Sequence, residues 1–346
     1  MANVRCDIKN VRPRPIRGFL PKNEVIFADT EMALSWKYII KAMHQSDVYV
    51  NGKLVEKTND VCKLFENIKV EEATTDDLVE KLANIKEGDI VSLGKGTYST
   101  PITIDKGCII TGSPDTVIAA PITVSAGNVV IDSVTVDIKE STMLTYTGKG
   151  EVSLVNCTFK TSDVDSRTLL SVVGSGQVVL DGCVFDDTAG KIYNAIEFSI
   201  NKDIPTAGDT IIRNCVFKGK SKNNNISFYN IAEGANIIIE NCTWDYAGNG
   251  IRISNMNNAT FSVTVKDCTY KATTEGQYAG LVLFQDFSKD EENHQDFTKV
   301  NLRLNNVIGP DGNIITNNVD QQVYYVYEDT TNSVIKDHNQ PNVIFL

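Results

Sequence analysis

One six-residue pattern occurs five times between residues 154 and 270, and few architectures tolerate such a return. It runs apolar residue, any residue, Asn/Gly/Asp, Cys, Thr/Val, aromatic. The copies are Leu154-Val155-Asn156-Cys157-Thr158-Phe159, Leu180-Asp181-Gly182-Cys183-Val184-Phe185, Ile212-Arg213-Asn214-Cys215-Val216-Phe217, Ile239-Glu240-Asn241-Cys242-Thr243-Trp244 and Val265-Lys266-Asp267-Cys268-Thr269-Tyr270. Weaker copies flank them at Ile110-Thr111-Gly112-Ser113, Ile131-Asp132-Ser133-Val134-Thr135-Val136 and Leu304-Asn305-Asn306-Val307. The cysteine column then reads 113, 134, 157, 183, 215, 242, 268, 307, with steps of 21, 23, 26, 32, 27, 26 and 39 residues. Self-similarity at that period marks a solenoid, in which the short steps are single coils and the long ones are coils with inserted loops.

The repeat reads as strand. Alternation precedes each copy, as in Glu151-Val152-Ser153-Leu154, and Val, Ile, Thr and aromatic residues dominate, which suits a pleated surface. The residue before each cysteine is Asn, Gly, Asn, Asn or Asp, the types that best tolerate left-handed backbone angles. A single such residue turns a sharp corner between two strands. Asn156, Asn214 and Asn241 are expected to stack along that corner and share amide hydrogen bonds. Cys157, Cys183, Cys215, Cys242 and Cys268 should point inward together with the aromatic residue two places on, since alternate residues share a face. Phe159, Phe185, Phe217, Trp244 and Tyr270 then form an aromatic column. A second strand set follows, at Leu169–Val173, Ala195–Ile200, Ile226–Ile231, Gly250–Ile253 and Gly280–Phe284. Parallel pairing between coils would satisfy the backbone groups of every internal strand.

These motifs resemble the pectin-lyase-like parallel β-helix superfamily over roughly residues 74–310. The entry segment adds to the likeness. Residues 74–86, beginning Thr74-Thr75-Asp76-Asp77, read as a capped amphipathic helix, followed by Gly88–Leu93 and Gly96-Thr97-Tyr98. The resemblance implies a mainly β chain, a single-stranded right-handed parallel β-helix of about eight coils, with the helix plugging one end. It says little about activity, because this fold carries lyases, hydrolases, esterases, adhesins and virion proteins.

The ends read differently. Residues 1–30 are punctuated by Arg12-Pro13-Arg14-Pro15, which cannot be helical, and are expected to form an extended arm. Residues 31–73 are expected to form a small domain. Met32, Trp36, Ile39, Ile40 and Met43 share a helical face, and Val48–Val55 reads as a hairpin around Asn51-Gly52. Trp36 could serve as core or as a docking anchor. Residues 311–346, with Val323-Tyr324-Tyr325-Val326-Tyr327, are expected to cap the solenoid or join subunits.

Charge divides along the same line. Residues 1–22 carry Arg5, Lys9, Arg12, Arg14, Arg17 and Lys22 against Asp7, a net +5 in a chain of −11, which leaves −16 on the remainder. So acidic a body should not bind nucleic acid through its main surface. The arm could meet an acidic protein surface or a nucleic acid, or stay solvated. No run of about 18 apolar residues is present and the N-terminus has no apolar signal core, so neither a membrane span nor export is expected. The eight cysteines include no CxxC pair and five share one repeat position, so they are expected as buried free thiols without metal or other cofactor.

No catalytic residue is assigned. Glycoside hydrolysis needs two carboxylates at a set separation. Glu197 and Asp286 are the outward acids on the second strand set, several coils apart; Asp186-Asp187 are adjacent, and Arg252 stands alone in its strand. His44, His294 and His338 lie in no motif. The acidic stretch 289–296 lacks EF-hand spacing and reads as a polar loop. The segment from Asn10 through Trp36 looks like the N-terminal anchors of virion proteins from crAss-like bacteriophages. That resemblance implies a virion structural protein, assembled in the host bacterial cytoplasm, that holds capsid or other virion proteins through Arg5, Arg12, Arg14, Arg17, Phe19 and Trp36. It implies a homotrimer as well. The alternative is a tailspike-like polysaccharide depolymerase or glycan-binding β-helix acting on host-surface glycan.

Overall fold

The computed structural model describes residues 70–346 apart from 114, 138–141, 161–165, 190–191, 199–208, 220–223, 247–248, 272–279, 287–294, 318–322, 329–332 and 335–340. Before residue 70 it describes four short strands, Cys6–Lys9, Glu24–Phe27, Asp47–Val50 and Lys53–Val55.

Three walls of stacked strands build the molecule. Wall 1 has 11 strands, from Val70–Ala73 to Asn342–Phe345. Wall 2 has 8, from Gly96–Tyr98 to Thr269–Tyr270. Wall 3 has 10, from Ile102–Ile104 to Ser333–Val334, and only that last strand runs antiparallel to its neighbour. Each circuit lays one strand on each wall. Val152–Val155, Thr158–Lys160 and Ser166–Val172 make one coil, and Val178–Asp181 starts the next directly above Val152–Val155. This is a parallel β-helix, with eight coils that contribute to all three walls among the described residues.

Register explains the repeat. Leu154, Leu180, Ile212, Ile239, Val265 and Leu304 are successive partners on wall 1, and all six are buried. Parallel in-register stacking puts like beside like, so one apolar choice at a position is repeated in every coil. The interior is a single apolar cluster running from Ala73 to Val323, with Val343 and Phe345 packed against its far end. Each aliphatic or aromatic side chain buried there contributes roughly 1.5–3 kcal/mol.

The corner between walls 1 and 2 takes two residues. The first has positive φ in seven coils: Ser133 (59°), Asn156 (52°), Gly182 (67°), Asn214 (54°), Asn241 (57°), Asp267 (51°) and Asn306 (51°). The second points inward and is Val134, Cys157, Cys183, Cys215, Cys242, Cys268 or Val307, all buried. Ser113 does not belong to this column. Thr111 pairs with Asp132 and Val117 with Thr135, so residues 112–116 span a turn that takes only 133–134 one coil later. The buried Thr116 takes the inward place, its Oγ1 donating to the Gly94 carbonyl at 3.2 Å. A polar side chain is tolerated there because that acceptor is at hand.

One further element differs from the sequence expectation. The helix covers only Leu78–Asn84, not 74–86. The Asp77 carboxylate turns back to accept from the Thr74 backbone N–H at 2.6 Å, which holds 74–77 in a turn and delays the helix. Leu78 and Leu82 are its buried face. In the C-terminal stretch two strands continue the walls. Val323–Glu328 extends wall 3 in register with Val282–Asp286, and Asn342–Phe345 extends wall 1 beside Val300–Asn305.

Near the N-terminus, Cys6–Lys9 pairs antiparallel with both Glu24–Phe27 and Asp47–Val50. Eight residues of the expected arm are therefore strands of a four-stranded sheet. Val50 pairs with Lys53, which closes the hairpin across Asn51-Gly52. The expected helix at 31–46 lies outside the described residues.

Candidate functional site

Two sets of side chains along the tube carry chemistry, one inside and one on the outer face of wall 3. The inner set is the column behind the Asn corner. Cys157, Cys183, Cys215, Cys242 and Cys268 are free and buried, and each sulfur sits in the same way. Each approaches the carbonyl two residues back and a carbonyl of the preceding coil: Cys157 with Val155 (3.4 Å) and Ile131 (3.3 Å), Cys215 with Arg213 (3.2 Å) and Leu180 (3.7 Å), Cys268 with Lys266 (3.1 Å) and Ile239 (3.6 Å). Burial pushes the thiols of Cys157, Cys183, Cys215 and Cys242 well above their usual pKa. At neutral pH they are thiols, and a thiol is a poor nucleophile. Cys268 ends the column, and the hydrogen bond from Cys242 holds it below the usual value. Cys108, outside the repeat, is raised to about 12 by burial.

Beside the sulfurs run the rings. Phe159, Phe185, Phe217 and Trp244 stack at 5.2, 5.1 and 5.6 Å between centroids with interplanar angles of 6–9°. Tyr270 meets Trp244 edge-on at 6.5 Å and 68°, its hydroxyl donating to the Gly280 carbonyl at 2.9 Å. A second stack, Phe198 on Phe228 at 4.5 Å, lies on wall 3. The alternation in Ala195–Ile200 and Ile226–Ile231 held that signal, since both phenylalanines occupy the same strand position.

The corner amides form a broken ladder. Asn241 Nδ2 donates to Asn214 Oδ1 at 2.9 Å, the one Asn-on-Asn bond of the three expected amides. Gly182 interrupts the run, so Asn214 donates instead to Asp181 (2.7 Å), and Asn156 donates to Asp132 (3.3 Å). Asn306 continues the pattern on Asp267 at 2.8 Å. Asp181 also accepts from Arg213 at 3.0 Å. Asp181, Arg213, Glu240 and Lys266 are register partners on four successive strands, so charge alternates up the outer face of wall 1. Opposite charges directly across a ladder stabilise it.

The outer column of wall 3 runs Thr123, Thr145, Ser171, Glu197, Ser227, Arg252, Leu283. Glu197 and Arg252 are two strands apart, about 10 Å at the usual strand spacing. Both are buried although they face away from the tube interior (5% and 3% exposed). Arg252 Nη2 donates to the Tyr229 hydroxyl, and its guanidinium lies 4.5 Å from the Tyr229 ring centroid. Asp286 is not an outward acid. It is fully buried, and its carboxylate accepts from the Gln295 backbone N–H at 3.0 Å. Asp187 is likewise buried and accepts from the Ile192 N–H at 3.1 Å, while Asp186 accepts from the Thr188 N–H. These carboxylates hold turns together, and sequence spacing could not show it because their partners are backbone groups.

Among the described residues, no group of three or more His, Cys, Asp or Glu side chains is arranged to hold a metal ion, and no helix is long and apolar enough to cross a membrane. Arg5, Arg12, Arg14, Arg17, Phe19 and Trp36 lie outside the described residues, as do His44, His294, His338 and most of the acidic stretch 289–296.

The walls and the packed interior define the class: a parallel β-helix protein. No family model and no curated protein matches the chain. Among solved structures, a pectin methylesterase variant in complex with a hexasaccharide aligns with 81% of this chain and 93% of its own, at 13% identity and a TM-score of 0.37. At that level it adds nothing to the architecture already described.

Proposed function

We propose that this chain is a non-enzymatic virion structural protein, a head fibre or capsid-decorating protein of a tailed bacteriophage, held by its N-terminal segment with the β-helix projecting outward. The observation that carries this reading is the segregation of charge: +5 within the first 22 residues and −16 on the remainder. Opposite fields on two parts of one chain suit a molecule that is attracted at one end and repelled along its length. Arg5, Arg12, Arg14 and Arg17 would meet acidic surfaces of capsid or other virion proteins, with Phe19 and Trp36 as apolar anchors. Self-association as a homotrimer belongs to the same reading.

The outer column of wall 3 supports it from another side. Among the described residues its charged members are one carboxylate, Glu197, and one guanidinium, Arg252, which already engages Tyr229. Hydrolysis of a glycan by the usual route calls for two carboxylates, about 5–9.5 Å apart.

Particles of the virus that encodes the chain provide the test. The protein should co-purify with them and be detected by mass spectrometry. A variant with Arg5, Arg12, Arg14 and Arg17 replaced by Ala should keep the circular dichroism of the parent and be lost from particles. A charge-stripped variant that still assembles would remove the anchoring role. Release of reducing sugar or unsaturated uronate from host-surface polysaccharide, abolished in Glu197→Gln, would replace the structural reading with the depolymerase one.

A further inference from the structure

The five repeated cysteines have a use that packing alone does not require. Val134 and Val307 fill the same inward place in flanking coils and are equally buried, so an aliphatic side chain suffices there. Between them stand five thiols in a row, on coils whose wall-1 and wall-2 strands pair in register throughout. All five sulfurs repeat the same pair of carbonyl contacts, so they share one orientation. Their spacing is therefore the coil rise, about 4.8 Å.

We propose that this column is a binding site for soft monovalent metal ions, Cu(I) or Ag(I), each held two-coordinate between a pair of sulfurs on successive coils, with no sulfur shared by two ions. A metal–thiolate bond is about 2.3 Å, so two in line span about 4.6 Å, close to the rise of one coil. Thiolate sulfur is the ligand type that selects such ions. A disulfide fits the same pair less well, because it wants Cβ atoms about 3.8 Å apart.

The charge balances. One S–H bond breaks for each ion bound and its proton leaves to bulk water; the sulfur forms the metal bond, and a lone pair on the neighbouring sulfur completes the coordination. A univalent cation thus replaces a proton, no electron is transferred, and the dry interior stays neutral. Zn²⁺ is disfavoured on two counts. It seeks four tetrahedral ligands, and the column offers them in twos. Losing one proton per divalent ion would also leave a net charge in an apolar interior.

Counting supplies the test. A sulfur bonded to Cβ cannot bind one ion above and another below it in a straight column, so five sulfurs in a row hold two ions in separate pairs. Full-length protein is titrated with Ag(I) under a nitrogen atmosphere, both as the native chain and during refolding, and read by native mass spectrometry. A variant with all five positions changed to Val sets the background from Cys6, Cys62 and Cys108. Above that background the parent should take up two ions, Cys215→Val two and Cys183→Val one, because the central substitution leaves a pair on either side and the loss of Cys183 strands Cys157 beside three sulfurs that make one pair. X-ray absorption should give a sulfur coordination number of two. Equal uptake by Cys183→Val and Cys215→Val would overturn the proposal, as would a coordination number of three or more, or no uptake above background in either titration. Valine already occupies this place at 134 and 307, and unchanged circular dichroism verifies that each variant folds.

Discussion

The corner between walls 1 and 2 and the connections that flank wall 3 solve the same problem in opposite ways. The first spends two residues in each of seven coils, puts one of them at positive φ, and sends the other into the core. The second varies in length from coil to coil. Residues 254–260 join walls 3 and 1 in one coil, and the 32- and 39-residue steps of the cysteine column owe their extra length to this side of the tube. Where wall 3 does return tightly to wall 1, glycines allow it. A Cβ on Gly150 would fall 2.6 Å from the Gly127 Cα, and one on Gly176 would fall 1.5 Å from the Gly150 carbonyl oxygen. One corner fixes the register of the solenoid. The other side tolerates insertion, and it is where ionisable groups such as Glu197 and Arg252 are buried on an outer face.

Insertion tests that contrast most severely. One glycine placed between Asn214 and Cys215 would turn Cys215 and Phe217 from the inner face to the outer one, so cooperative melting should be lost. The same single glycine between Glu233 and Gly234, an exposed turn with open space around Gly234, should cost less than about 1 kcal/mol, the loop-entropy scale. Equal damage at both sites would remove the distinction between the corners.

Phe217→Ala comes next. The ring is fully buried between Phe185 and Trp244, and its removal should cost about 3–5 kcal/mol, read as a lowered denaturant midpoint. A cost below about 1 kcal/mol would mean that the fixed corner does not depend on the ring stack behind it.

Alkaline titration should show the thiol column as a smaller effect. The folded-state pKa values of Cys157, Cys183, Cys215 and Cys242 are raised by burial. The unfolded chain therefore releases thiol protons first as pH rises. Stability from these groups is complete below the ordinary thiol value near 9 and falls above it, until the folded thiols ionise in turn. Melting temperature should drop above about pH 9, and Cys215→Val should drop less steeply than the parent. Parallel slopes would show that other groups set the alkaline limit.

Trp244→Phe should have the smallest effect. Among the described residues the buried indole N–H has no hydrogen-bond partner, a cost that phenylalanine avoids and that offsets the lost ring area. A change within about 1 kcal/mol is expected in thermal melts; a loss as large as that of Phe217→Ala would show that ring area alone governs the stack.

The fixed corner was legible in the chain because its demands are local. Positive φ restricts residue type to Asn, Asp, Gly or Ser, strand alternation sets which neighbours face inward, and parallel register copies the solution into every coil. Those rules place Cys157 and Phe159 in the core without coordinates. They misplace Ser113, because a turn three residues longer than its successor leaves no periodic trace. They say nothing of the Asp187 and Asp286 carboxylates, whose partners are backbone N–H groups several residues on.

The sequence by itself determined the coil: its period, its inward column and the residue type at its sharp corner, since each follows from interactions within a few residues or one strand spacing. Only the tertiary structure decided where the variable connections return, that Arg252 lies over Tyr229, and that the C-terminal strands join walls 1 and 3. Those outcomes depend on which distant segments come to share a wall, and no local propensity encodes that choice.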